Sequence, residues 1–341
     1  MMAVRITRAG GPGVLEVARA PRPEPGPGQV RVRLHAASVN HLDVWLREGK
    51  LPVTLPHVPG SDGAGVADAL GDGVTGIQPG DRYLILPTLS CGACAVCMAG
   101  YGQHCARFGI VGVATPGCYA EYVVVPAANL IPIPHGLDFV QAASFPVAAL
   151  TAWHLLVTRA AVRAGETVLV HGAGSGLGVH AIQIAKAFGA EVIATAGSGD
   201  KCEAAIGLGA DAALNHTLGD VAGKVLEMTG GRGVDVVFDH VGADLFTANL
   251  RCLAIGGRLL VCGTTTGGEV AFNLRDLFSR QQTIHGGRLG GRRELNDLAD
   301  LFGRGLLRPV VDTVLPLEKA AEAHRRMEGR AHFGKLMLTM G

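Results

Sequence analysis

The chain is 341 residues long, 48% hydrophobic and 17% charged, with a formal net charge of +1. That length exceeds one ordinary hydrophobic core, so two domains are expected, each burying its own interior. A balanced charge with no run of one sign excludes a footprint for nucleic acid or an anionic membrane and leaves a small-molecule substrate as the expected partner.

Met1 to Gly11 carries Arg5 and Arg8 but no apolar signal-peptide stretch, so a cytoplasmic protein is expected. Pro21 to Gly28 reads as a proline-rich surface turn. Val30 to Val39 then alternates, with Val30, Val32 and Leu34 set against Arg31, Arg33 and His35, the period of a strand with one buried face. Tyr83 to Pro87 and Tyr122 to Pro126 are further short apolar runs punctuated by glycine and proline, so the chain before Phe145 reads as mostly β. Phe139 to Thr158 carries no charge and is long enough to span a bilayer. Gln141, Pro146 and His154, and the lack of interfacial anchors, make it a buried helix and inter-domain crossover, and no membrane partner is expected.

After Phe145 the texture changes. Thr167 to His171, Glu191 to Ala196, Val234 to His240 and Arg258 to Gly263 are short β-rich runs, separated by segments of helical spacing such as Val179 to Phe188. This alternation is that of a parallel, doubly wound sheet. A helical Glu318 to Met327 and a short strand at Gly334-Lys335-Leu336-Met337-Leu338 close the chain.

Two motifs carry chemistry. Val168-Leu169-Val170-His171 runs into Gly172-Ala173-Gly174-Ser175-Gly176-Leu177-Gly178 and then into an amphipathic segment. Glycines there let the backbone approach a pyrophosphate at a helix N-terminus, although the spacing is not the literal G-x-G-x-x-G. The next strand ends in Ala196-Gly197-Ser198 without the carboxylate that would hold a ribose 2′-hydroxyl. Ser198 and Lys201 suit a 2′-phosphate instead, so NADPH is favoured, with Asp200 keeping NADH open. The second motif is Cys91, Cys94, Cys97 and Cys105. Four thiolates from one loop close a tetrahedral shell around one structural zinc, whereas an iron-sulfur cluster fits the first three spacings but not the fourth, and a metal-free thiol loop is the remaining reading. Cys118, Cys202, Cys252 and Cys262 are scattered and read as small buried apolar residues.

Three features together resemble the medium-chain dehydrogenase/reductase superfamily, which includes zinc alcohol dehydrogenases and quinone oxidoreductases. They are the turn Pro59-Gly60-Ser61-Asp62-Gly63-Ala64-Gly65, the cysteine loop, and the glycine turn with its succeeding strands. The resemblance implies an α/β protein with a GroES-like catalytic domain at 1–148 carrying the zinc loop 91–105. A Rossmann NADP-binding domain follows at 149–287, and the return segment 288–341 completes the catalytic domain. The active site would lie in the cleft between the domains, and a homodimer or homotetramer is expected.

Zinc alcohol dehydrogenases of this superfamily take catalytic zinc with an early cysteine, a Gly-His-Glu motif and sometimes a cysteine near the crossover. Here those places read Asn40, Gly60-Ser61-Asp62, and a position near Val147. Serine and asparagine are poor zinc ligands. The same departures resemble the quinone oxidoreductases, including an Asn-x-x-Asp motif formed by Asn40 and Asp43. Hydride donation to a quinone, enal or enone needs no Lewis acid, only hydrogen-bond donors for the enolate that forms and a proton for it from a side chain or water.

Within this reading Asn40 is the donor near the nicotinamide or the substrate carbonyl, with a strand-end residue satisfying its own backbone as the plain alternative. Asp43 orients its neighbours or caps a surface helix, and His41 and Trp45 line the substrate pocket or pack in a core. Gly49-Lys50-Leu51 stands where related enoyl thioester reductases carry a tyrosine donor, which leaves the proton source unassigned. The resemblance further implies that Lys201, His216 and Arg330 surround the 2′-phosphate, His216 replacing a tyrosine, and Gly263 is counted among the cofactor positions. Two other readings stand beside it: an alcohol dehydrogenase whose catalytic zinc draws on His41, Asp43, His57 and Asp62, and a non-catalytic NADPH-binding protein.

Overall fold

The computed structural model describes all 341 residues. The chain divides into two compact units, Met1–Leu150 with Leu289–Gly341, and Thr151–Arg288. The sequence reading sets these boundaries at 148/149 and 287/288.

The first unit is built on a seven-stranded sheet in the order Val311–Pro316, Lys335–Thr339, Gln29–Ser38, Asp62–Leu70, Arg82–Ile85, Leu130–Pro132, with Tyr122–Pro126 also pairing to Gln29–Ser38. Gln29–Ser38 is therefore the hub. Its alternation is weaker than the sequence suggests: Arg31 is only 8% exposed, because its guanidinium pairs with Asp68 at 2.5 Å and Glu24 at 2.6 Å. Register shifts between Arg31 and Val32 and between Leu34 and Ala36 further break the period, so Ala36, Ala37 and Ser38 are all buried. Pairing brings distant residues into line, with Ser38 opposite both Asp62 and Met337.

Phe139 to Thr158 is not one continuous helix. It forms Phe139–Ala143, then Pro146–Trp153, then a wider turn at His154–Arg159. Pro146 opens its helix at the position where a missing N–H costs nothing. No helix is long and apolar enough to cross a membrane.

The second unit holds a six-stranded, all-parallel sheet in the order Ala212–Asn215, Glu191–Ala196, Thr167–Val170, Val234–Asp239, Leu253–Val261, Thr283–Gly286. This is the 3-2-1-4-5-6 order of the Rossmann fold. Val168, Leu169 and Val170 are fully buried, as a central strand covered on both faces must be. The strands Ala212–Asn215 and Thr283–Gly286 are not legible in the sequence. Both are four residues long and are edge strands, only partly buried, so they lack a strong apolar run. Among the scattered cysteines, Cys118 and Cys252 are buried as expected, whereas Cys202 and Cys262 are only partly so; Cys202 sits in the exposed helix Gly199–Gly207.

Candidate functional site

In the first unit the hub strand and its neighbours assemble a buried polar cluster. Asp62, fully buried, accepts from the Val147 backbone N–H on Oδ1 at 2.8 Å. On Oδ2 it accepts from the Ser38 hydroxyl at 2.7 Å, from Asn40 Nδ2 at 2.9 Å and from Lys335 Nζ at 3.4 Å. Lys335 Nζ also donates to Asn40 Oδ1 at 2.7 Å. Asp62 thus has both oxygens engaged within the protein. Its neighbour Ser61, also fully buried, has a hydroxyl with no hydrogen-bond partner.

Asp43 starts a second line of contacts. Its Oδ2 accepts from the Asn40 backbone N–H at 2.9 Å and from the Tyr119 hydroxyl at 3.2 Å. At 1% exposure it is not at the surface: it caps the helix His41–Arg47 from inside the fold, holding the Asn40 backbone N–H in a capping box. Burial pushes its carboxyl up to about 7, against the pull of the Asn40 N–H. Tyr119 also meets His324 Nε2 at 3.3 Å, and Arg47 meets His324 Nδ1 at 3.4 Å. A guanidinium only donates, so Nδ1 is the acceptor and Nε2 carries the proton towards Tyr119. Burial, then the Arg47 charge, lowers this imidazole to about 3. His41 and Trp45 are half-buried and meet edge to face, ring centroids 5.5 Å apart, so neither is a fully packed core residue.

The alternative metal set does not form. His57 Nε2 bonds the Gly112 carbonyl at 2.9 Å, Asp62 is engaged as above, and His41, Asp43, His57 and Asp62 do not converge. The cysteine quartet does. Its ligand atoms lie within 4.8 Å of one another, with Sγ separations of 3.7 Å for Cys91 to Cys97, 3.5 Å for Cys94 to Cys97 and 4.0 Å for Cys94 to Cys105. These match the edge of about 3.8 Å of a tetrahedron with Zn–S bonds of about 2.3 Å. Backbone N–H groups of Cys94 and Arg107 donate to the sulfurs of Cys91 and Cys105, each at 3.3 Å, which favours thiolates. Hydrogen bonds from Ala93 and Cys94 hold the Cys91 thiol down at about 5. The quartet fits a structural zinc, with all four positions filled by protein.

The residues of the second unit expected to hold the cofactor follow the C-terminal ends of its strands. Gly172 has φ of +60° and lies so close to the His240 ring that a Cβ would approach it to 2.9 Å. Ser175 caps the helix Gly176–Ala187 by accepting from the Gly178 N–H at 2.8 Å. A Cβ on Gly178 would come within 2.3 Å of the Gly172 carbonyl, so helix and turn pack as tightly as this motif requires. One strand over, Ser198 caps Gly199–Gly207 by accepting from the Lys201 N–H at 3.4 Å. Ala196 pairs with Asn215, and His216 lies against Gly197, where a Cβ would be 3.5 Å from its Nε2. Ser198, Lys201 and His216 therefore flank one turn. Gly263 follows Leu253–Val261 and approaches the His240 carbonyl so closely that a Cβ would be 2.3 Å from it. Arg330 belongs to the first unit, after the helix Ala320–Glu328, so it is not among the residues this unit brings together.

Several functional candidates are not legible in the sequence. Lys335 shows there only as a lone charge in an apolar strand. Tyr119 and His324 give no local signal. Beside the glycine turn, His171 Nε2 meets Asn249 Oδ1 at 2.7 Å while Asn249 Nδ2 donates to Asp239 at 3.1 Å. This fixes the proton on Nε2, leaves Nδ1 to accept from Thr195 at 3.1 Å, and burial keeps the ring neutral with a value of about 4. His240 Nε2 meets both the His171 carbonyl at 3.0 Å and Ser175 Oγ at 3.1 Å, which puts an imidazole on the glycine turn.

A Rossmann sheet with a glycine-rich phosphate turn, accompanied by a β-rich unit bearing a four-thiolate loop, defines a zinc-binding, nicotinamide-dependent dehydrogenase. The zinc-binding dehydrogenase family matches residues 176–304, and the alcohol dehydrogenase GroES-like domain matches residues 26–135. Quinone oxidoreductases of Sus scrofa and Pseudomonas aeruginosa are 32% and 34% identical, spanning 100% and 99% of this chain and 98% and 99% of their own. The crystal structure of an NAD-dependent alcohol dehydrogenase is 50% identical with a TM-score of 0.97, covering 100% of both chains. A cobalt- and zinc-bound thermostable alcohol dehydrogenase from Pyrobaculum aerophilum is 34% identical with a TM-score of 0.91, covering 99% of both. The chain belongs to the medium-chain dehydrogenase/reductase superfamily and is an oxidoreductase.

Proposed function

We propose that this protein is an NADPH-dependent reductase that delivers hydride to a conjugated carbonyl or quinone without a catalytic metal. The observation that carries this reading is the state of the positions where alcohol dehydrogenases hold zinc: the Asn40 oxygen faces the Lys335 ammonium, the Asp62 carboxylate is engaged by hydrogen bonds within the protein, and Ser61 offers only a neutral hydroxyl. Such a cluster does not supply an open three-ligand site, and an alkoxide would have no Lewis acid to stabilise it. It does supply fixed donors. When bound, the nicotinamide supplies the hydride. Asn40 Nδ2 has a second N–H beyond the one given to Asp62, and this donor holds the carbonyl oxygen on which enolate charge develops.

NADPH over NADH rests on the turn after Glu191–Ala196, which has no carboxylate and is flanked by Ser198, Lys201 and His216. Likeness to the quinone oxidoreductases supports the acceptor class. The 50% identical NAD-dependent alcohol dehydrogenase favours a second reading, NAD-linked alcohol oxidation. Screening NADPH and NADH oxidation against quinones, enals, enones and simple aldehydes, with alcohol oxidation by both oxidised cofactors in parallel, separates the two. Alcohol turnover that exceeds conjugated-acceptor reduction refutes the proposal, and no turnover with any pair leaves a cofactor-binding protein without catalysis.

A homodimer or homotetramer is part of the same proposal. The edge strand Thr283–Gly286 presents unpaired backbone on one side, and Ile255, Leu274 and Phe278 in the same unit are 74%, 66% and 69% exposed. Light scattering on the purified protein tests it, a monomer being the refuting result. A reducing, cytoplasmic compartment suits a loop of four thiolates that oxidation would destroy.

A further inference from the structure

Asn40 stands between two buried charges. Its Oδ1 faces the Lys335 ammonium at 2.7 Å, and its Nδ2 faces Asp62 Oδ2 at 2.9 Å. Asn40, Asp62 and Lys335 are 7%, 0% and 3% exposed, so water does not compete for these contacts. A side-chain amide is nearly symmetric in shape, and packing alone does not decide which end is which. Charge does. The reversed amide would set N–H against ammonium and carbonyl oxygen against carboxylate, two repulsive contacts in a low-dielectric interior.

The positions of the two charges follow from the sheet. Lys335 opens the strand that pairs with Gln29–Ser38, and the Val39 N–H donates to the Leu336 carbonyl at 2.9 Å, which sets Lys335 level with Asn40. Asp62 is held opposite Ser38 on the other side. Both charges are therefore fixed by backbone pairing rather than by loops.

We propose that Lys335 is a positioning residue that fixes the orientation of the Asn40 amide, so that Nδ2 and not Oδ1 supplies the remaining hydrogen bond at this site. The role deepens the reading of Asn40 as the carbonyl donor and rests on it. Without the ammonium, Oδ1 loses its partner and only the Asp62 carboxylate still opposes reversal, so the reversed amide, which presents an acceptor where a substrate carbonyl needs a donor, gains population. Lys335 acts through Asn40 and makes no substrate contact in this scheme.

The test is a cycle of Lys335→Met, Asn40→Ala and the double variant. In the wild-type background Lys335→Met should lower kcat by more than about twofold but by less than Asn40→Ala, because Asp62 still holds Nδ2, with KM for NADPH held within about twofold. In the Asn40→Ala background it should change kcat by less than about twofold, since the group it positions is already gone. An equal fall in both backgrounds overturns the proposal. Should Lys335→Met fail to fold because Asp62 is left uncompensated, Lys335→Met/Asp62→Asn restores neutrality. The new amide at position 62 then offers N–H where the Asp62 carboxylate accepted, which draws Asn40 Oδ1 towards it. This folded variant should therefore be about as impaired as Asn40→Ala; wild-type kcat in it overturns the proposal.

A readout free of turnover separates this inference from the assigned activity. The chain has six asparagines, so asparagine-selective 15N labelling gives six side-chain NH2 pairs, with Asn40 assigned by its loss in Asn40→Ala. Slow exchange and a large splitting of the Asn40 pair in the wild type, both diminished in the Lys335 variants, support the proposal even if no acceptor is reduced. An Asn40 pair unchanged by removal of Lys335 refutes it even if the enzyme is active.

Discussion

His324 provides a quantitative test of the buried line from Asp43 to Arg47. Its Nδ1 faces the Arg47 guanidinium at 3.4 Å, so protonation would set N–H against N–H inside the fold. Burial and the Arg47 charge hold the imidazole at about 3, whereas the unfolded chain takes up the proton near 6.5. Stability from the neutral ring is therefore complete above the unfolded value and is lost as pH falls from there towards 3, by about 1.4 kcal/mol per unit. Between pH 7 and pH 5 the loss is about 2 kcal/mol. Asp43 acts in the opposite sense: its folded value of about 7 lies above 3.8, so it gains stability, also about 2 kcal/mol, over the same acidification. The two offset each other in the parent protein, and only a difference isolates His324.

The assay is urea unfolding at pH 7 and pH 5 of the parent and of His324→Gln, both carrying Trp153→Phe so that Trp45 alone reports the first unit. Thiolate protonation in the zinc loop affects both proteins alike and cancels in the comparison. The variant should lose about 2 kcal/mol less than the parent on acidification. Equal losses, within about 0.5 kcal/mol, would refute the claim that a neutral, buried imidazole links Tyr119 to Arg47 in this line.

Three further outcomes are expected. Lys201→Ala should weaken NADPH by about 1.5 to 3 kcal/mol and NADH little, as cofactor-fluorescence titration would show; equal losses for both would make Lys201 a stability residue. Elemental analysis should give one zinc per chain, and Cys94→Ser should lower the melting temperature more than kcat per folded molecule; a second bound zinc would restore the catalytic-metal reading. Asn40→Ala should reduce turnover of a conjugated acceptor by about tenfold to a thousandfold with NADPH affinity kept, as steady-state kinetics and direct binding together would establish.

Local spacing makes part of this protein legible. The four cysteines lie on one loop, and the glycine turn lies between one strand and one helix, so each group's chemistry is a matter of neighbours along the chain. The strands Glu191–Ala196 and Tyr122–Pro126 are likewise readable because their apolar runs are bounded by turn residues. The short edge strands Ala212–Asn215 and Thr283–Gly286 are not, since an edge strand owes its form to the partner it pairs with.

By itself the sequence determined the two-domain class, the thiolate loop and the glycine turn, and its resemblance to the zinc alcohol dehydrogenases set Asn40 and Ser61-Asp62 at the places where those enzymes carry zinc ligands. Only the tertiary structure decided what those replacements do. Lys335 reaches Asn40 across 295 positions of chain, and Asp62 does so across 22, because three strands pair in one sheet. A lysine in an apolar strand carries no sign of its role until that pairing places a buried carboxylate and amide beside it; the position of this charge is a property of register, which no local pattern encodes.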